Sequence, residues 1–176
     1  LVSDRQRHQL LNEFAVSPPL PPSAAPAFPC IHHYFENQVR LTPTHPALVC
    51  EDQVFTYQEL NHQANQLAYH LQSLGVGPDV VVALYLERSP HLVVAILAVL
   101  KAGGAYLPLD PVLPVAGLER RLASTQPPVL LTQQSLRSTL TATIAEVLCV
   151  DTFWDTLTQF NTANPASQVT SENLVY

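Results

Sequence analysis

Val80-Val81-Val82-Ala83-Leu84-Tyr85-Leu86 is a continuous apolar run rich in β-branched residues, with no charged or amide side chain at any of its alternating positions. A strand that is apolar on both faces belongs in a parallel sheet covered by helices on both sides. Downstream, Ser89-Pro90 opens a helix with proline in the first position, where its missing N–H is not needed, and with Ser89 in the capping position. Residues Leu92 to Leu100 are apolar all round, which predicts a deeply buried helix, covered on nearly every side in a complete domain and left partly exposed in this chain. Gly103-Gly104 terminates that helix, and Ala105 to Leu109 reads as the next strand. A helix from Ala116 to Ser124 leads to a strand at Val129 to Thr132, and a weaker helix from Ser135 to Glu146 leads to a strand at Val147 to Val150. Strand–helix alternation at this spacing predicts right-handed βαβ crossovers and an α/β fold, a mostly parallel sheet flanked by helices.

Upstream of the run, Ile31, Phe35 and Val39 recur at helical spacing, and Thr42-Pro43 stops that helix at residue 41. Ala47 to Cys50 and Val54-Phe55 read as short strands about the turn Glu51-Asp52-Gln53. Thr56-Tyr57-Gln58-Glu59 has the spacing of a capping box, in which Thr56 and Glu59 satisfy each other's backbone N–H groups. Leu60, Ala64, Leu67 and Leu71 then share one helical face up to Gly75. Residues 3 to 14 read as a short amphipathic helix with Ser3 as cap. Residues 17 to 26, with five prolines, read as a stiff linker, because each proline fixes its own φ. The domain proper is expected to begin near Phe28.

The chain has 176 residues, 47% hydrophobic and 12% charged, a composition that can bury a core. Its net charge is −6, and only Arg120-Arg121 among the basic residues are adjacent, so it lacks the basic stripe that neutralises nucleic-acid phosphates. No apolar run reaches the roughly 20 residues of a membrane span, and none has signal-peptide layout. Cys30, Cys50 and Cys149 have neither metal-site spacing nor a paired framework, and read as reduced thiols of a cytoplasmic protein. There is no methionine, and Asn173-Leu174-Val175-Tyr176 ends the sequence in an apolar run; both are expected of a piece of something longer.

Candidate chemistry is sparse. There is no GxxxxGK[ST], Gly75 and Gly77 do not extend to GxGxxG, and Gly103-Gly104 sits at a helix C-terminus, whereas phosphates prefer helix N-termini. His32-His33 diverge by about 100° on a helix and cannot easily share a metal. His62 and His70 have no third ligand, so the histidines read as surface or core-edge residues. Ser89 has no nucleophile-elbow context. Glu87-Arg88 falls at the carboxyl end of a parallel strand, where such sheets bind ligands, but an ion pair or solvated turn is the weightier explanation. Asp110, before Pro111, reads as a turn residue.

Two stretches resemble core motifs of nonribosomal peptide synthetase adenylation domains. Phe55-Thr56-Tyr57-Gln58-Glu59-Leu60 resembles the first, and Leu100-Lys101-Ala102-Gly103-Gly104-Ala105-Tyr106-Leu107-Pro108-Leu109-Asp110 resembles the second nearly residue for residue. The flanks at 61–68, 74–78 and 129–133 agree with the same family, and residues 3–14 resemble the segment that joins a condensation domain to an adenylation domain. The resemblance implies a condensation–adenylation linker at 1–27 and, at 28–176, the N-terminal part of an adenylate-forming (AMP-binding) domain, ending before its phosphate-binding loop. The parent reaction implied is ATP plus amino acid giving aminoacyl-adenylate, with Mg²⁺, followed by transfer to the phosphopantetheine of a carrier domain. Condensation and carrier domains are the implied partners, with no nucleic acid and no membrane. None of the family's catalytic, cofactor-binding or metal-binding residues is assigned to this chain, and Lys101 is not given the catalytic lysine's role. Two rival readings are a stand-alone acyl- or aryl-CoA synthetase fragment and a non-catalytic docking module.

Overall fold

The computed structural model describes residues 30–140, 146–170 and 172–176. The expected helix at 3–14, the proline-rich linker and the domain start near Phe28 therefore lie outside the described residues. Helix α1 (Ile31–Leu41) is followed by the hairpin strands β1 (Pro46–Cys50) and β2 (Gln53–Thr56), helix α2 (Tyr57–Ser73), strand β3 (Val81–Tyr85) and helix α3 (Pro90–Ala102). Then come β4 (Ala105–Leu109), α4 (Val115–Thr125), β5 (Val129–Thr132), a single turn α5 (Gln134–Arg137), β6 (Glu146–Cys149) and another turn α6 (Trp154–Leu157).

The four main strands form one sheet in the order β4-β3-β5-β6, and every pairing in it is parallel. The double-sided apolar run sits in the middle of it, as its composition requires. Val82, Leu84 and Leu86 pack with Leu67, Ala68 and Leu71 of α2 and Ala95, Ala98 and Val99 of α3 on one face. The alternate residues Ala83 and Tyr85 pack with Leu118 and Leu122 of α4 on the other. The chain leaves β3 to build β4 on one side, then returns across the sheet to build β5 on the other. Direction reverses at β3, and α3 and α4 fall on opposite faces. The small antiparallel hairpin packs at the edge of the helical layer, with Leu48 and Phe55 against Leu60, Ala64 and Val94.

The capping box forms as read: Glu59 N–H donates to Thr56 Oγ1 at 3.2 Å and Thr56 N–H to Glu59 Oε2 at 2.8 Å. Two expectations are corrected. The helix expected from Ser135 to Glu146 stops at Arg137, and Glu146 opens β6; residues 141–145 lie outside the described set. Thr139 contributes to that stop, since its hydroxyl bonds Leu136 O at 2.7 Å, a carbonyl that a continued helix would use, and is tied to Tyr85 Oη of β3 at 3.0 Å. Ser89 stands in the capping position of α3, but its hydroxyl turns back to Glu87 O at 3.3 Å and makes no cap bond. Helix α3 buries Val94, Ala95 and Ala98 through Ala102, while Leu92, Val93, Ile96 and Leu97 stay half-buried.

The two glycines after α3 have different physical reasons. Gly103 takes a left-handed φ of 98° and closes the helix, its N–H donating to Leu100 O. Gly104 is required by space: a Cβ there would lie 2.8 Å from Val76 Cγ1 and 2.9 Å from the Val80 carbonyl oxygen. Gly104→Ala is therefore expected to destabilise the fold by about 1–3 kcal/mol, through displacement of the β3 backbone. Urea unfolding checks this; a variant as stable as the parent would show that the strand gives way freely.

Candidate functional site

In an open parallel sheet the loops at the carboxyl ends of the strands bind ligands, above all where strand order reverses. Here that place lies between the ends of β3 and β5. Glu87 and Arg88 leave β3 there and Gln133 leaves β5. The Gln133 amide bridges the gap: Nε2 donates to Glu87 Oε2 at 3.0 Å and to Ser135 Oγ at 2.9 Å, and Oε1 accepts from Glu87 N–H at 3.2 Å. Glu87 is thus tied to Gln133, and both Glu87 and Arg88 are exposed: a solvated turn with a cross-strand tie. Asp151, past β6, accepts from Gln134 N–H with both carboxylate oxygens, at 3.1 and 3.0 Å. Asp110 is a turn residue as read, its Oδ1 accepting from Val112 N–H at 2.9 Å and its carbonyl from Leu113 N–H at 3.0 Å. Beside these loops, over the ends of β3 and β4, lies an open and mainly apolar cleft of about 860 Å³, with Arg88 and Arg121 at its margin.

The Gly103-Gly104 pair is poorly suited to phosphate, whereas a Cβ at Gly75 or Gly77 would meet nothing within 4 Å. Gly103 packs on Val169 and Gly77, and the space beside Gly104 is filled by Val76 and Val99, so neither offers an open cradle for phosphate oxygens. No group of three or more His, Cys, Asp and Glu side chains that could hold a metal ion occurs among the described residues. Of the two places expected for the histidines, surface or core edge, His32 is not at the surface: it is 3% exposed. Its ring lies 4.2 Å from that of His33, and its Nε2 has no hydrogen-bond partner. His70 packs against Phe153 and Phe160, with ring centroids at 4.9 and 5.2 Å. Cys149 is buried, and Cys30 and Cys50 are half-buried and free.

Lys101, the single lysine of the sequence, is completely buried. Its ammonium donates to Glu36 Oε1 of α1 and, at 3.3 Å, to Asn164 Oδ1. The same Asn164 oxygen accepts from Asn61 and Asn65 of α2, both at 3.0 Å, and Asn65 also donates to Thr162 O at 2.6 Å. Phe35 lies beneath the ammonium, 6.0 Å from it to the ring centroid. Burial holds the Lys101 pKa below the usual lysine value, and the hydrogen bond and charge of Glu36 work against that. These residues join three helices and the 160–166 segment; they do not face the carboxyl edge of the sheet. Sequence reading missed the network because its members lie 65 and 63 positions from Lys101. The one available signal was a lone lysine inside an apolar helix.

A parallel sheet covered on both faces, with a strand-order reversal and its polar loops gathered at the carboxyl ends, defines an α/β scaffold of the ligand-binding type. The chain belongs to the AMP-binding enzyme family, whose model matches residues 35–175. It is 44% identical over 147 residues to a linear gramicidin synthase of Brevibacillus parabrevis, covering 84% of this chain and 3% of that protein. A crystal structure of the nonribosomal peptide synthetase FmoA3 bound to α-methyl-L-serine-AMP superposes with a TM-score of 0.76 and 32% identity, over 82% of this chain and 16% of that one. An anthranilate CoA ligase in complex with anthranoyl-AMP shares the fold, with a TM-score of 0.72 and 21% identity over 82% of this chain and 30% of that one. The resemblance carried by residues 55–60 and 100–110 is thus to peptide synthetase adenylation domains, and the chain spans 3% of that gramicidin synthase and 16% of FmoA3.

The buried groups lead to two measurable outcomes. Lys101→Met leaves the Glu36 carboxylate without its ammonium partner, while Asn164 keeps Asn61 and Asn65 as donors, and is expected to destabilise by roughly 3–5 kcal/mol. Adding Glu36→Gln recovers part of that loss, because removing both charges avoids an unpaired one; urea unfolding of the single and double variants reads the difference. His32 is held at a pKa of about 4, against 6.5 when free, first by burial and then by the charges of His33 and Lys101. Its folded value is the lower one, so the unfolded chain takes the proton first. Stability present above 6.5 is therefore lost as pH falls toward about 4, by as much as about 3 kcal/mol. His32→Phe is expected to flatten that acid slope in denaturation curves; an unchanged slope would assign it to other groups.

Proposed function

We propose that this chain is the scaffold portion of an amino-acid-activating adenylation domain in a nonribosomal peptide synthetase. The parent couples ATP and an amino acid to give aminoacyl-adenylate and pyrophosphate, and passes the aminoacyl group to the phosphopantetheine of a carrier domain. Condensation and carrier domains of the same synthase are the partners in this reading, and residues 1–27 serve as the condensation–adenylation linker. The observation that carries it is the 44% identity to a peptide synthetase across 84% of the chain, against a likeness to a CoA ligase that extends to the fold alone. In this reading ATP and Mg²⁺ are held by parts of the parent beyond residues 1–176. That accords with Gly103 and Gly104, whose neighbours leave no open cradle for phosphate oxygens. This chain's own contribution is mechanical: the sheet fixes where its carboxyl-end loops stand, and the helices covering both faces keep water out of the layer beneath them.

The expected result is that the parent domain catalyses ATP–pyrophosphate exchange dependent on one or a few amino acids, while residues 1–176 alone do not. Exchange by the isolated chain would place the nucleotide machinery inside it. A parent that adenylates only aryl or fatty acids would replace this reading with the CoA-ligase one.

A further inference from the structure

Asp79, just before β3, is a non-glycine residue with a left-handed φ of 63°, a conformation uncommon for residues with a side chain, though Asp and Asn adopt it more readily than most. Its carboxylate is fully engaged with the far end of the described chain. Oδ1 accepts from the Leu174 backbone N–H at 3.0 Å and Oδ2 from Asn173 Nδ2 at 3.1 Å. Asn173 is itself set by its Oδ1, which accepts from Thr170 N–H at 2.8 Å. Just beyond, Val175 O accepts from Tyr106 N–H at 2.9 Å, and the Tyr176 and Tyr106 rings lie 6.0 Å apart.

Tyr106 belongs to β4, an edge strand of the sheet. Alternate residues of a strand bond to opposite sides. Ala105 N–H points inward to Val80 O, so the outer edge is served by Tyr106 and Pro108. Pro108 has no N–H to give. The outer edge therefore offers a single donor along β4, too little to fix the register of an incoming segment by a hydrogen-bond ladder. Asp79 supplies the second fixed point. Leu174 is held level with the start of β3 and Val175 level with the second residue of β4, so the segment advances in the direction of β4, toward the carboxyl edge where Glu87, Arg88, Asp110 and Gln133 gather.

We propose that Asp79 is a positioning residue: it clamps Asn173-Leu174 so that the 173–176 segment meets β4 in one register and is aimed at the ligand-binding edge of the sheet. The inference rests on the adenylate-forming reading above. The strained φ accords with it, since glycine would occupy the same backbone without cost but would have no carboxylate.

The test is amino-acid-dependent ATP–pyrophosphate exchange by the full-length synthetase carrying Asp79→Gly or Asp79→Asn. Asp79→Gly relieves the backbone and removes both contacts; kcat/KM is expected to fall about 10–100-fold with the melting temperature unchanged or raised. Asp79→Asn keeps an oxygen for the Leu174 N–H, tolerates the same φ, and is expected to retain most of the activity. An Asp79→Gly enzyme as active as the parent would overturn the proposal, as would a loss in both variants that tracks a lower melting temperature. If the unmutated synthetase exchanges with no amino acid, the functional reading fails instead, and backbone hydrogen exchange then decides the clamp. Protection at Leu174 and Tyr106 that vanishes in Asp79→Gly and survives in Asp79→Asn supports it, and protection unaltered in both overturns it.

Discussion

The burial of Lys101 is the constraint on which the helical layer depends. An ammonium with no solvent exposure is tolerable only if its charge and its donors are met, and here that takes Glu36 from α1, Asn164 from the 160–166 segment and the face of Phe35. Satisfying one side chain thereby fixes the seat of α1 on α3. It also pins an irregular segment across α2 through Asn61 and Asn65. Apolar packing alone would let α1 slide, since Ile31, Tyr34 and Leu41 stay exposed and only His32 on that helix is buried. The polar network supplies the directionality that non-directional burial lacks.

The sheet divides the work of the molecule between its two ends. At the carboxyl ends the loops are polar and tied across strands, Gln133 to Glu87 and Asp151 to the start of α5, so their positions are set by hydrogen bonds between neighbouring connections. At the amino ends the connections are tight and apolar: Gly104 slots under Val76 and Val80, and Asp79 gathers the chain's last described residues onto β4. The chain spans 3% of the gramicidin synthase subunit and 16% of the FmoA3 chain that it matches.

Much of the fold was legible because it follows from local chemistry. The run at 80–86 could be covered only from both sides, the Thr56–Glu59 spacing could close only a capping box, and Gly103 could end α3 because left-handed φ favours glycine. The failures have local causes as well. The helix read through 146 gave too little weight to Thr139, whose hydroxyl takes the Leu136 carbonyl. Ser89 had the right position for a cap, yet its hydroxyl found Glu87 O instead. Of the candidate site, Glu87, Arg88 and Asp110 were correctly put at strand ends, but the partner that orders Glu87 lies 46 residues away, beyond any spacing argument.

The sequence by itself determined the parallel α/β class, the order of the elements and the family, because periodicity, caps and two short motifs are properties of neighbouring residues. Tertiary structure alone decided where the chain reverses within the sheet, that the one lysine is buried rather than solvated, that His32 is a core residue, and that Asp79 holds Leu174 across 95 positions of sequence. The physical reason is common to all four. A buried charge, a buried imidazole and a clamped backbone N–H are defined by what surrounds them, and those surroundings come from segments far apart in sequence that meet only when the sheet and its helices close.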